Sequence, residues 1–140
     1  MTELTFMTPP RIICAPGALA RLGDCAASLG GRRAFVVTDP GLTRLGYDAR
    51  ALAALETRGI SGAVFDRVEA DPPYAVVREA VAAARASGAD LVIGLGGGSS
   101  MDTAKVVALA LNSDQTLDEM VGTEQATGTR LPLICVPTTA

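Results

Sequence analysis

Histidine is absent from all 140 residues. Without an imidazole the chain cannot build a Ser-His-Asp or Cys-His nucleophile, and no histidine metal site can exist in it. Chemistry done by these residues alone must use carboxylates, lysine, hydroxyls or a bound cofactor. Tryptophan is missing too, and aromatics make up only 4%. That scarcity suits helices packed closely on a parallel sheet better than an aromatic-rich sandwich. Cysteine is scarce: Cys14, Cys25 and Cys135 are an odd set without metal-ligand spacing. Cys14 and Cys135 stand in apolar runs, where small core residues with reduced thiols are expected.

Positive charge is also thin. Twelve Lys and Arg face fifteen Asp and Glu, for a net charge of -3. The arginines (Arg32 with Arg33, Arg44, Arg58, Arg78) are scattered and read as solvated surface charge. No basic stripe exists to neutralise a phosphate backbone, so nucleic acid is excluded as a main partner. No apolar run approaches the roughly 18 residues of a membrane span. The opening MTELTFMTPP lacks the basic and apolar regions of a signal peptide. A cytoplasmic protein with neither nucleic-acid nor membrane partners is the expectation.

What is abundant is apolar residues, 49% of the chain, arranged in runs that end in turn signals. Ala34 to Thr38 reads as a buried strand running into Asp39-Pro40-Gly41. A helical pattern over Leu42 to Arg58 follows, split at Gly46 and closed at Gly59. Ile60 to Asp66 reads as a second strand. Pro72 and Pro73 open a helix whose apolar stripe is Val77, Ala80, Val81 and Ala84, ending at Gly88. Asp90 to Leu95 is a third strand, followed by a glycine run and a helix from Ser99 to Leu111. A short helix near Thr116 to Met120 and a last strand, Leu131 to Val136, complete the series. The N-terminal part predicts an edge strand or hairpin at Arg11 to Ala15 and a helix from Gly17 to Leu29. Strands alternating with helices imply an α/β, Rossmann-like fold, a parallel sheet with helices on both faces and one domain over residues 1–140. Ligands of such sheets bind beyond the carboxyl ends of the strands, which points to Asp39, Asp71, Gly96 to Ser99, Thr138 and Thr139.

The glycine run is the most specific signal. Gly96, Gly97 and Gly98 between a buried strand and a helix let a ligand approach bare N–H groups at a helix N-terminus. That is an anion site suited to a dinucleotide diphosphate. It is not a P-loop, since no Lys-Ser/Thr pair follows at the required spacing, and Ser99 takes the place of the third glycine of G-x-G-x-x-G. Ser99 and Asp102 equally fit a capping-box-like S-x-x-D. Lys105 shares a helical face with Met101 and Ala108, which tilts it inward toward a cofactor, with Asp102 as its neighbour. The alternative is an exposed lysine stem lying over apolar surface. Asp39 can accept both ribose hydroxyls of an adenosine and repel a 2′-phosphate, favouring NAD over NADP. It can equally be an Asx-type turn opener before Pro40-Gly41.

Three segments, VTDPGL (37–42), GLGGGSSMDTAK (94–105) and LPLICVPTTA (131–140), resemble the iron-containing (group III) alcohol dehydrogenases. GGGS-x-x-D-x-A-K is specific to that family and its near relatives, and the resemblance runs over essentially the whole chain. It implies the N-terminal cofactor domain of the dehydroquinate synthase-like fold, with Asp39 setting NAD preference. Gly97, Gly98 and Ser99 would take the pyrophosphate, and Thr138 and Thr139 would lie along the nucleotide; with Asp39, Gly96, Asp102 and Lys105 they make up the expected cofactor-binding set. Where the family often has Asn-Pro-Thr this chain has Asp71-Pro72-Pro73, so an amide contact is lost there.

The resemblance also implies a parent enzyme more than twice as long. Its divalent iron or zinc is held by one aspartate and three histidines in a helical C-terminal domain, absent from this chain. The parent would be a homo-oligomeric NAD-dependent oxidoreductase passing hydride between a small alcohol and nicotinamide, the metal acting as Lewis acid. On that reading no residue of this chain is catalytic or metal-binding, and the truncated chain is inactive alone. A stand-alone nucleotide-binding module, a glycerol dehydrogenase or maleylacetate reductase type, and a sugar-phosphate lyase of the synthase branch are the alternatives.

Overall fold

The run Arg33–Val37 is β-branched and aromatic, with no polar residue after its first, and it forms β1 buried on both faces. Its start is fastened by Asp90, whose Oδ1 accepts the N–H groups of Arg32 and Arg33, each at 3.0 Å. The computed structural model describes residues 3–5, 7–120 and 127–138. After β1 come α2 (Pro40–Arg44), α3 (Tyr47–Glu56), β2 (Ser61–Phe65), α4 (Tyr74–Ser87), β3 (Leu91–Gly96), α5 (Gly98–Leu111), α6 (Leu117–Met120) and β4 (Leu133–Pro137). Before β1, a 3₁₀ turn at Ala18–Arg21 leads into α1 (Leu22–Ser28).

All strand pairs are parallel and the spatial order is β2-β1-β3-β4. Alternation along the strands sorts the core into two layers. Ala34, Val36, Leu91, Ile93 and Leu95 pack with Leu22 and Ala26 of α1 and Ala51, Ala54 and Leu55 of α3. Phe35, Val37 and Val92 pack on the other side with Ala80, Val81 and Ala84 of α4 and Ala104, Val107 and Ala108 of α5. Small residues dominate the helix faces, so the helices sit close to the sheet. Gly94 carries this furthest: a Cβ there would lie 2.9 Å from Ala104 Cβ and 3.0 Å from Met101 Cα. The expected helices on both faces of a parallel sheet are what is observed.

Several local expectations need correction. Arg11 to Ala15 is neither strand nor hairpin; prolines at 10 and 16 bracket it, no described strand pairs with it, and Ile12 is exposed. Cys14 and Cys135 are exposed, not core. An apolar run buries its cysteine only if another layer covers that face fully, and at these two positions the described residues do not. The helix expected over Gly17 to Leu29 is tightened to a 3₁₀ turn in its first part. Pro73 stands at the N-cap of α4, so the helix begins at Tyr74. The split at Gly46 is as expected: its φ of 78° places it in the left-handed region between α2 and α3.

Candidate functional site

The chain leaves β1 toward β2 over one face and comes back from β2 to β3 over the other. Adjacent β1 and β3 therefore send their following loops in opposite directions, and a crevice opens between them at the carboxyl edge. Asp39 lies beyond β1 on one side of this crevice, and the glycine run lies beyond β3 on the other.

Gly96 is the meeting point. Its φ of 145° is accessible to glycine but strained for any residue with a side chain. A Cβ there would be 2.9 Å from Ser100 Oγ and 3.3 Å from Asp39 Oδ2. Its carbonyl accepts the N–H of Thr138 at 3.1 Å, just past β4. Segments around residues 39, 96 to 100 and 138 are thus brought together by one backbone position. Thr139 lies outside the described residues.

Gly97 is the N-cap of α5 in an extended conformation, and no side chain caps this end. Met101 is the first residue whose N–H returns to the cap, donating to Gly97 O at 3.1 Å. The N–H groups of Gly98, Ser99 and Ser100 precede it and have no intrahelical acceptor. A Cβ on Gly98 would meet nothing within 4 Å, so the ledge over those amides is open. The capping box expected from Ser99 and Asp102 is not formed. Helix α5 starts at Gly98, which places Ser99 inside the first turn instead of at the cap. Asp102 instead accepts from Lys105 Nζ at 3.2 Å, both side chains being exposed. The inward tilt expected of Lys105 is therefore corrected. The buried face runs through Ser100, Thr103, Ala104, Val107 and Ala108, and Lys105 stands beside it.

Of the two roles the sequence left open for Asp39, the structure shows the turn-opening one. Oδ1 accepts the N–H of Leu42 at 3.0 Å and caps α2, while Oδ2 faces Gly96. Asp71 adopts a φ of 47° and is exposed; no hydrogen bond or ion pair joins it to the Gly96 cluster among the described residues.

Two features here escaped the sequence. Thr38, the last buried residue before Asp39, has a hydroxyl without a hydrogen-bond partner among the described residues. Arg44, grouped above with scattered surface charge, lies one turn along α2 from Asp39. Its position five residues after the capping aspartate, at the end of the helix that aspartate caps, was the signal available. On β4, desolvation raises the Cys135 thiol above its ordinary pKa, against the opposing charges of Lys105 and Arg130 and with Asp102 adding to the rise. Two open hollows of about 400 and 410 Å³ lie along α4, α6 and the segment near Asn112, away from the glycine run. The α5 ledge is an open shelf, a shape suited to an extended ligand rather than an enclosed one.

A sheet of this order with an open, glycine-built helix start at its crevice defines a Rossmann-like α/β domain of the kind found in the solved alcohol dehydrogenases. An alcohol dehydrogenase from Oenococcus oeni superposes with a TM-score of 0.89 at 29% identity, covering 98% of this chain and 36% of that one. An NADH-dependent butanol dehydrogenase A from Thermotoga maritima gives 0.87 at 27% identity, covering 99% and 35%. EutG of Escherichia coli, named a probable alcohol dehydrogenase, is 40% identical over 97% of this chain and 34% of its own length. The 1,3-propanediol dehydrogenase of Klebsiella pneumoniae is 33% identical over 96% and 35%. Residues 9–140 match the iron-containing alcohol dehydrogenase family, and the chain belongs to it. It spans about a third of the length of the curated relatives it matches.

Proposed function

We propose that these residues form the cofactor domain of an NAD-dependent alcohol dehydrogenase acting on a small alcohol or aldehyde. The observation that carries the reading is the convergence on Gly96 of Asp39, the start of α5 and Thr138. Bound on this shelf, a nicotinamide dinucleotide supplies the hydride acceptor for oxidation of an alcohol. The N–H groups of Gly98, Ser99 and Ser100, with the partial positive charge of a 14-residue helix, offset the charge of its diphosphate. Gly97 and Gly98 present no side chain to keep the phosphates away. Asp39 Oδ2 is left to accept from ribose hydroxyls and disfavours a 2′-phosphate. Thr138 and Thr139 line the β4 side, and Asp102 with Lys105 forms an outer contact along α5.

The sequence has no histidine, and the described residues contain no group of three His, Cys, Asp or Glu able to hold an ion. The chain's own share of the reaction is to bind and orient the dinucleotide. The same proposal includes a longer parent that carries the metal elsewhere, works in the cytoplasm and assembles with copies of itself.

Gly98→Ala tests the shelf. Its Cβ enters open space and alanine favours a helix, so stability should hold or rise by up to about 1 kcal/mol. The methyl occupies the ground a diphosphate needs, so NAD⁺ affinity in calorimetric titration should drop at least about tenfold, equivalent to about 1.4 kcal/mol. Unchanged affinity in a well-folded variant would refute the reading.

A further inference from the structure

Arg44 is a charged side chain close to Asp39 that forms no hydrogen bond or ion pair among the described residues. Its Nη2 lies 4.0 Å, and Asp39 Oδ1 2.9 Å, from the point where a Cβ on Gly41 would sit. Guanidinium and carboxylate are therefore no further apart than those two spans combined, yet they form no ion pair. The carboxylate is held in place by the Leu42 N–H, whereas Arg44 is exposed at the end of a flexible stem. Oδ2 of the same carboxylate faces Gly96, while Arg44 stands on the Oδ1 side, beside Gly41.

We infer that Arg44 is the second half of the cofactor-selecting device: a latent ligand for a 2′-phosphate, overruled by Asp39 and released when that carboxylate loses its charge. The inference rests on the dinucleotide reading above and adds a residue to it. An adenosine whose ribose hydroxyls meet Asp39 would carry any 2′-phosphate into the few ångströms between carboxylate and guanidinium. There the fixed negative charge repels it and the mobile positive charge attracts it. In the native chain the carboxylate dominates because it is anchored and adjoins the ribose. Neutralised, it leaves a planar donor set that matches phosphate oxygens. Arg58, also on the α3 side of the chain, cannot substitute, since its guanidinium is paired with Asp24 at 2.6 Å.

The test is a set of titrations of NAD⁺ and NADP⁺ against the full chain and the variants Asp39→Asn, Arg44→Gln, the double variant and Arg58→Gln. Asparagine keeps the oxygen that caps α2, and Asp39→Ser, another good N-cap residue, serves as a second neutral form. Asp39→Asn should shift the NADP⁺ to NAD⁺ affinity ratio toward NADP⁺ by at least about tenfold, and Arg44→Gln in that background should remove about tenfold of the ratio. The gained NADP⁺ affinity should weaken with salt, as a solvent-exposed charge contact does. Arg58→Gln, with the same loss of charge, should leave the ratio alone. Normal NAD⁺ binding with a ratio indifferent to Arg44 in the neutralised background, or one that follows Arg58 equally, would overturn this assignment while the dinucleotide site stands. Failure of the native chain to bind NAD⁺ would overturn both.

Discussion

Thr38 shows how much one hydroxyl can reveal. Fully buried and without a partner among the described residues, it forgoes the hydrogen bonds it has in water. Valine keeps the branched shape and discards the hydroxyl, so Thr38→Val should raise stability by about 1 kcal/mol in urea unfolding. A loss of stability would mean that the hydroxyl has a use in the folded chain. Cys135 gives a pH-dependent counterpart. Burial raises its thiol pKa, so less of it is thiolate at a given mildly alkaline pH than in an unfolded chain. Its alkylation by iodoacetamide should therefore lag behind that of the denatured protein and catch up only at higher pH. By the same shift this thiol should leave stability unaffected below its ordinary pKa and lower it as pH rises from there toward the raised one, where the thiolate must form partly out of water. Arg130→Ala, by removing an opposing charge, should move the alkylation profile further upward. Thr38 was read from the sequence as buried, as it is, but Cys135 was not assigned correctly. An apolar neighbourhood in a string of letters does not say which of its members the next layer covers.

At the scale of elements, legibility followed how completely each segment is buried. β1 and β3, enclosed on both faces, are continuous apolar runs in the sequence and fold within a residue or so of where those runs lie. Helix α4, with a buried stripe of Ala80, Val81 and Ala84 and a left-handed Gly88 at its end, was equally plain. Lys105 was misplaced because a face drawn through Met101 and Ala108 drifts around the helix. Only the position of the sheet decides which side of Ala104 is buried. The carboxyl-end location of the site was read from the sequence, but the order of the strands was not, because parallel neighbours far apart in sequence leave no local mark. Gly94 belongs to this scale, since it sets the distance between β3 and α5. Gly94→Ala should cost about 1–3 kcal/mol because its methyl meets Met101 backbone, which cannot turn aside. Displacing the start of α5 should also weaken NAD⁺ binding, unlike Gly98→Ala, which should weaken binding without loss of stability. Thermal melts with and without cofactor separate the two.

For the molecule as a whole, the family was legible before the fold, because GLGGGSSMDTAK combines packing glycines with a site. Residues such as Arg44, whose role depends on a neighbour's geometry, were not. The lack of any histidine, and of any metal-binding cluster among the described residues, carries its own expectation: EDTA should leave the melting temperature of this chain unchanged. A clear drop would locate a metal where none has been assigned.

The contact of Asp39, Ser100 and Thr138 around Gly96 joins the first, third and fourth strands, which span about a hundred residues of chain. None of those neighbours can be recruited by a short hairpin, so the binding shelf has no partial form that assembles early and waits. Ligand should therefore recognise only chains that have completed the sheet, drawing the folding equilibrium forward by mass action. Occupancy at the shelf is in this sense a certificate that the entire parallel array has closed.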